Sequence, residues 1–277
     1  MNHALAIAAH QPVMQRARGV GRIATKLRDG ASVLDTLYQD GCAKIRLPHT
    51  HSNTLEAVLI NTAGGLTGGD HMQWQAQAAP GGMMVLTTQA CERIYRSTGD
   101  VARIETRLEV GANAHLDWLP QETILFDASK LDRRIDIDLA EGATLTAIES
   151  VLLGRDAMGE TAANAWLRDN WRVRRNGRLI HAEATLLSGT GPEREALSLL
   201  DGARAFATIV HIGPKATAHL DTIRALMPGD GQIAASAIGE RLVIRALAGS
   251  GIALRRMIVP ILAELAGAGH LPRLWHL

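Results

Sequence analysis

Arg107-Leu108-Glu109-Val110-Gly111-Ala112-Asn113-Ala114-His115-Leu116 consists of an alternating segment, a small turn and a second alternating segment. Apolar residues at every second position describe a strand with one buried face, and Gly-Ala-Asn between two such segments describes a tight reversal. The same phrase occurs before it, at Gln77-Ala78-Ala79-Pro80-Gly81-Gly82-Met83-Met84-Val85-Leu86, and after it, at Asp138-Leu139-Ala140-Glu141-Gly142-Ala143-Thr144-Leu145-Thr146-Ala147. The turns at Gly81, Gly111 and Gly142 lie about 30 residues apart, an interval at which repeat architectures are expected. One such hairpin pair cannot bury its apolar face alone. Stacked or wrapped, the units predict a mainly β, layered body of solenoid- or sandwich-like form with a few helices.

Upstream of the repeats, the apolar run Ala57-Val58-Leu59-Ile60 leads into Asn61-Thr62-Ala63-Gly64-Gly65-Leu66-Thr67-Gly68-Gly69-Asp70, and the alternating His71-Met72-Gln73-Trp74-Gln75-Ala76 follows. Gly64, Gly65, Gly68 and Gly69 mark a tight structural loop between two strands, since glycine permits positive φ and close approach of other backbone. Gly64 and Gly69 have the outer spacing of a phosphate loop, but Asp70 and His71 stand where lysine and a hydroxyl belong. Such a loop repels phosphate.

Nearer the start, Ala31–Tyr38 and Cys42–Leu47 are strand-like and flank Gln39-Asp40-Gly41, which reads as a hairpin turn. Between the repeats lie Thr87–Ser97 and Trp118–Asp127, both placing polar groups in apolar surroundings, so one end of the β body gathers unusual chemistry. Asn176-Gly177 predicts a second hairpin over Trp171–Glu183 with one solvated, basic face. Ala216–Met227 is helical in spacing and stops at Pro228, and Gln232–Leu247 returns to a hairpin at Gly239-Glu240. The strongest helix lies near the C-terminus, where Leu254, Met257, Ile258, Ile261, Leu262 and Leu265 form one apolar stripe. Pro260 within it predicts a kink or a late start.

The chain has 277 residues, which we read as a single domain, 1–277, with residues 1–15 a frayed start. A formal charge of +1 leaves no electrostatic footprint for nucleic acid, and neither a basic membrane-facing run nor an apolar stretch of spanning length is present. Two cysteines, Cys42 and Cys91, are too few for a disulfide framework, which favours a reducing, cytoplasmic setting. His49-Thr50-His51 with Cys42 nearby is compatible with a transition-metal site. It is also compatible with a solvated loop. A metal-dependent hydrolase using His49, His51 and nearby carboxylates is therefore the alternative functional reading. Asp70, Glu122, Asp127 and Glu149 occur next to glycine or in apolar strand segments; each alone reads as a turn or strand-end carboxylate, and together they suit a polar passage for a cation.

Leu59–Asp70, Thr87–Arg96, Trp118–Asp127 and Pro272-Arg273-Leu274-Trp275 resemble, in order, the signature blocks of the urease accessory protein UreD (UreH) family. Gly154-Arg155, Met158-Gly159-Glu160 and Trp171–Glu183 resemble it as well, so the likeness spans nearly the whole chain. The resemblance implies a cytosolic, non-catalytic maturation factor with a largely β fold. Such a factor works with UreF and the GTPase UreG to deliver nickel to apo-urease, with no tightly bound cofactor and with transient passage of nickel through the interior. Carried over by position, it implies that Asp70 and Glu122 are passage or mouth residues, followed by Asp127 and Glu149. The residue after Gly-Gly-Asp is commonly arginine in that family and here is His71, which implies a weaker, pH-sensitive partner for Asp70.

Overall fold

A computed structural model describes residues 15–155, 158–188, 194–229 and 231–276. The expected frayed start at 1–15 therefore lies almost entirely outside the described residues. β1 (Arg18–Arg28) and β2 (Ala31–Gly41) form an antiparallel hairpin. Its turn is Asp29-Gly30, with φ of 53° and 77°, the type I′ geometry that Asp-Gly favours. The hairpin expected at Gln39-Asp40-Gly41 is not formed. Gly41, at φ 57°, instead hands the chain from one sheet to β3 (Ala43–Arg46) in another, and a Cβ there would collide with the Arg18 carbonyl.

From β4 (Leu55–Asn61) in this second sheet the chain crosses to β5 (His71–Ala78) in the first and returns to β6 (Met83–Thr88). It continues through the short β7 (Glu92–Ile94) to β8 (Ala102–Val110) in the first sheet and β9 (His115–Leu119) in the second. The short β10 (Thr123–Leu125) then leads to β11 (Lys130–Leu139) in the first sheet and β12 (Thr144–Leu153) in the second. Within each sheet, successive visits pair in parallel: β5 with β8, β8 with β11, β6 with β9 and β9 with β12. The repeats are thus coils of a solenoid. Each glycine turn is an arch joining strands of opposite sheets, which corrects the expectation of hairpin pairs, because parallel neighbours require a crossover. The arches stack: Gly81 N–H donates to the Ala112 carbonyl at 2.8 Å and Asn113 N–H to the Glu141 carbonyl at 2.9 Å.

β13 (Trp166–Arg175) pairs in parallel with β11 and turns at Asn176-Gly177 into antiparallel β14 (Arg178–Leu187), as expected. β15 (Ala205–Ile212) pairs antiparallel with β12, and β17 (Arg241–Ala248) and then β16 (Gln232–Ile238) extend the second sheet, each antiparallel to its neighbour. A short α1 (Leu220–Leu226) and the longer α2 (Gly251–Leu265) complete the body.

Alternation along the strands places Met72, Leu108, Ile137, Leu116 and Leu145 between the sheets, all buried. The predicted stripe of α2 is buried as well, on the outer face of the second sheet, against Ile148, Ile209 and Ile244. Each fully buried Leu or Ile there is worth roughly 1.5–3 kcal/mol. The helix starts at Gly251, capped by the Ser250 hydroxyl, which accepts from Ala253 N–H at 3.2 Å. It contains Pro260, so no late start occurs.

The C-terminal end of α2 meets the sheet through polar groups. Thr146 Oγ1 donates to the Leu265 carbonyl at 2.9 Å, and the Asp117 carboxylate accepts Gly267 N–H at 3.1 Å. His115 bridges Asp117 and Thr144 at 2.6 Å on each side, while His211 Nδ1 lies 3.0 Å from Thr146 Oγ1. Burial pushes the His211 imidazole down to about 4, with the charges of His115 and His219 acting in the same direction. Between pH 6.5 and about 4 the unfolded chain takes up a proton that folded His211 refuses, so its contribution to stability is present above this window and lost as the pH falls through it. The loss reaches about 3 kcal/mol at the acid end. Urea unfolding at about pH 7 and about pH 4.5 is expected to show a smaller drop for His211→Gln than for the wild type.

Candidate functional site

Every connection from the second sheet back to the first runs along one flank of the solenoid, and there it builds a third, narrow wall. β7 and β10 pair in parallel, β10 pairs with the end of β12, and Leu66 of the glycine loop bridges to Ile94. Leu66 N–H donates to the Arg93 carbonyl at 2.8 Å and Tyr95 N–H to the Leu66 carbonyl at 2.7 Å. Phe126 N–H donates to the Ile94 carbonyl at 3.0 Å and Gly154 N–H to the Leu125 carbonyl at 2.8 Å. The glycines answer to this wall. A Cβ on Gly65 would lie 2.7 Å from the Arg93 carbonyl and against the Tyr95 ring, and one on Gly68 would strike Ser97 and Asp100.

Four sequence-distant segments converge here. Asn61 Nδ2 donates to Glu92 Oε1 at 3.0 Å, and the Cys91 thiol donates to Glu122 Oε2 at 3.3 Å. Arg255 of α2 donates to Gln121 Oε1 at 2.7 Å and to both Glu122 oxygens at 3.3 Å, while its guanidinium lies 4.9 Å from the Trp275 ring centre. Trp275 in turn donates to the Leu119 carbonyl at 2.9 Å. A cleft of about 110 Å³ opens beside Asn61, Gly64, Cys91 and Glu92. Burial pushes the Glu92 carboxyl up to about 7 against the Asn61 hydrogen bond, and burial followed by the Glu122 charge pushes the Cys91 thiol up to about 11. Cys91 is thus a neutral donor at ordinary pH. Gln121 Nε2 and Arg255 Nε, both buried, have no hydrogen-bond partner among the described residues.

The four carboxylates singled out in the sequence have separate surroundings. Asp70 closes its own loop, accepting Thr67 N–H at 2.7 Å and Ala17 N–H at 2.8 Å, and so ties the loop to the start of β1. Its expected partnership with His71 is not formed, because His71 begins β5 and points to the outer face of the first sheet, 2.9 Å from Glu105. Asp127 accepts Asn164 N–H at 3.0 Å and pairs with Arg96 at 3.4 Å; the Asn164 bond is the main cause holding its carboxyl below the usual range. Glu149 points inward between the sheets. Its oxygens accept from Trp118 Nε1 at 2.9 Å and from Arg133 Nη1, which also reaches Thr123 Oγ1 at 3.1 Å, while Nη2 and Nε of Arg133 donate to Asp169 at 2.6 and 3.1 Å. Burial pushes Glu149 up to about 7 despite Arg133. Only Glu122 belongs to the cleft-side cluster, through Cys91.

His49 and His51 are exposed on the connection between β3 and β4, and Cys42 and Cys91 are free thiols. No group of three or more His, Cys, Asp or Glu residues placed to hold a metal ion occurs among the described residues. Sequence reasoning missed Asn61, Glu92 and Arg255. Asn61 ends an apolar strand and Glu92 adjoins Cys91, but Arg255 lies off the apolar stripe and reads as solvent-facing. No helix among the described residues is long and apolar enough to cross a membrane.

Residues 17–276 match the family model described as UreD urease accessory protein. Among curated relatives, the urease accessory protein UreD of Chelativorans sp. (strain BNC1) is 60% identical over 262 residues, 95% of each chain. The protein of that name from Rhizobium etli is 50% identical over 264 residues, 95% of this chain and 96% of the relative. That of Agrobacterium fabrum is 49% identical over 271 residues, 97% and 95% of the two chains.

Proposed function

Because the chain belongs to the UreD family of urease accessory proteins, we propose that it serves urease maturation as a scaffold without catalysis of its own. In this reading it acts in the cytoplasm, binds apo-urease together with UreF and UreG, and passes nickel onward as cargo rather than holding it as a cofactor. The observation that carries it is the convergence of the glycine loop, Cys91-Glu92, Gln121-Glu122 and Leu274-Trp275 on one wall, although they are spread over most of the sequence.

The chemistry there suits a passing cation. Glu92, with a carboxyl near 7, sheds a proton readily when a cation approaches, and Glu122 supplies a carboxylate held by Arg255 and a neutral thiol. Oxygen donors backed by few fixed ligands favour transit over retention. Asp70, Asp127 and Glu149 take supporting places along the route, each already engaged by backbone N–H or by Arg133.

Glu122→Gln preserves the shape of the side chain, whereas Asp70→Ala removes the acceptor of two backbone donors and confounds transfer with folding. In cells producing urease with UreF and UreG, Glu122→Gln together with Glu92→Gln is expected to lower nickel per urease about ten-fold, the scale on which metal-site partners act, with recovery of the assembly unchanged. Normal nickel loading would remove these carboxylates from the route. Loss of the assembly would move them to a structural role.

A further inference from the structure

The two sheets differ on their outer faces: α1 and α2 cover the second, whereas no described helix covers the first. On that uncovered face, cross-strand neighbours form rows. One runs Arg18–His71–Arg103–Asp132–Arg168–Leu186, and another ends Asp138–Arg174–Leu179.

The carboxylates of this face are occupied. Asp132 pairs with Arg168, Asp136 with Arg134 and Arg174, Glu105 with His71 and Gln73, Glu109 with Arg107, and Asp138 lies 4.0 Å from Arg107. The guanidinium groups are in surplus. Arg103 has no side-chain partner among the described residues, and Arg172 donates only through Nη1, to the carbonyls of Trp171 and Glu183. Both line a trough of about 510 Å³ together with Arg134, Arg168 and Arg174, against Glu105 and Asp132. With Asp136, which pairs with Arg134 and Arg174 at the margin of the trough, five arginines face three acids and leave an excess of two positive charges, in a protein whose formal net charge is only +1. Beside the trough, on the β14 edge, Leu179 and Leu186 are 50% and 65% exposed.

We propose that the trough between β8 and β13 is a docking surface for an acidic, amphipathic segment of another protein. The segment supplies the acceptors that the face lacks, and arginine forks recognise carboxylates bidentately. The aliphatic rim selects a polypeptide over nucleic acid. A phosphate chain carries charge at every step and cannot avoid Glu105 and Asp132, which stand on neighbouring strands about 4.8 Å apart, and it gains nothing from Leu179 and Leu186. A peptide can place glutamates opposite Arg103 and Arg172 and leucines over the rim. This surface lies away from the cleft-side wall and does not depend on the nickel reading.

A fluorescent peptide of alternating Glu-Glu-Leu tests it on the purified chain alone by anisotropy, beside its Gln-Gln-Leu counterpart and an oligothymidylate of equal charge. The glutamate peptide is expected to bind at least ten-fold tighter than either control, and Arg103→Glu to weaken it about ten-fold while leaving thermal unfolding unchanged. Arg103 has no described partner to lose, so this variant separates docking from folding. Leu179→Ser with Leu186→Ser is expected to weaken it several-fold. Absence of binding, equal affinity for Arg103→Glu, or tighter binding of the oligonucleotide would overturn the proposal.

Discussion

Arg133→Met is expected to destabilise the protein by about 3–5 kcal/mol, the cost of leaving buried charges without their partner. Arg133 belongs to the first sheet, Glu149 to the second and Thr123 to the connecting wall, so one guanidinium joins all three walls of the solenoid. Against its burial, the charges of Asp169 and Glu149 hold the guanidinium firmly protonated. In the variant, Trp118 and Trp171 still donate to the two carboxylates, but no cation balances them. Buried Glu149, already raised to about 7 beside Arg133, would then bind its proton still more tightly folded than unfolded, so the variant should gain stability as the pH falls from about 7 to about 5. Urea unfolding measures both effects, and adding Glu149→Gln should recover a substantial part of the loss. A midpoint for Arg133→Met equal to that of the wild type would remove the network from the account of the core.

Gly65→Ala is the second large effect. Gly65 holds φ 147°, a region hostile to side chains, and its Cβ would meet the Arg93 carbonyl and the Tyr95 ring. Backbone strain of about 1–3 kcal/mol adds to overpacking of about 1–3 kcal/mol, so a loss of about 3 kcal/mol or more is expected. Gly64 supplies the control. It also has positive φ, at 75°, but nothing lies within 4 Å of its added Cβ, so Gly64→Ala should cost only about 1–2 kcal/mol. Equal losses at the two positions would mean that the loop does not pack against β7 as described.

The repeat was legible because alternation and glycine spacing are local signals. Pairing was not, since Asp138–Ala147 reads the same whether its two strands pair with each other or with neighbouring coils. Asp40-Gly41 misled for a related reason: a residue with positive φ serves a reversal and a change of sheet equally well, and the true hairpin sits at Asp29-Gly30. Asp127 and Glu122 were visible as carboxylates in apolar blocks. Their partners were not, because Arg255 lies 133 residues from Glu122 and Asn164 lies 37 from Asp127. Arg133 lies only 16 residues from Glu149 but on the facing sheet, so Glu149 read as a lone carboxylate in an apolar strand while the fold gives it an ion pair. Asp70 shows the reverse case. Its loop was recognised from glycines alone, while its binding to Ala17 N–H depends on where β1 begins.

The most direct test of the maturation role is the nickel content of urease purified from cells that produce UreF and UreG with and without this chain, measured by atomic emission. Nickel near full occupancy with the chain and near zero without it is the expected result. Equal nickel in both preparations would contradict the account.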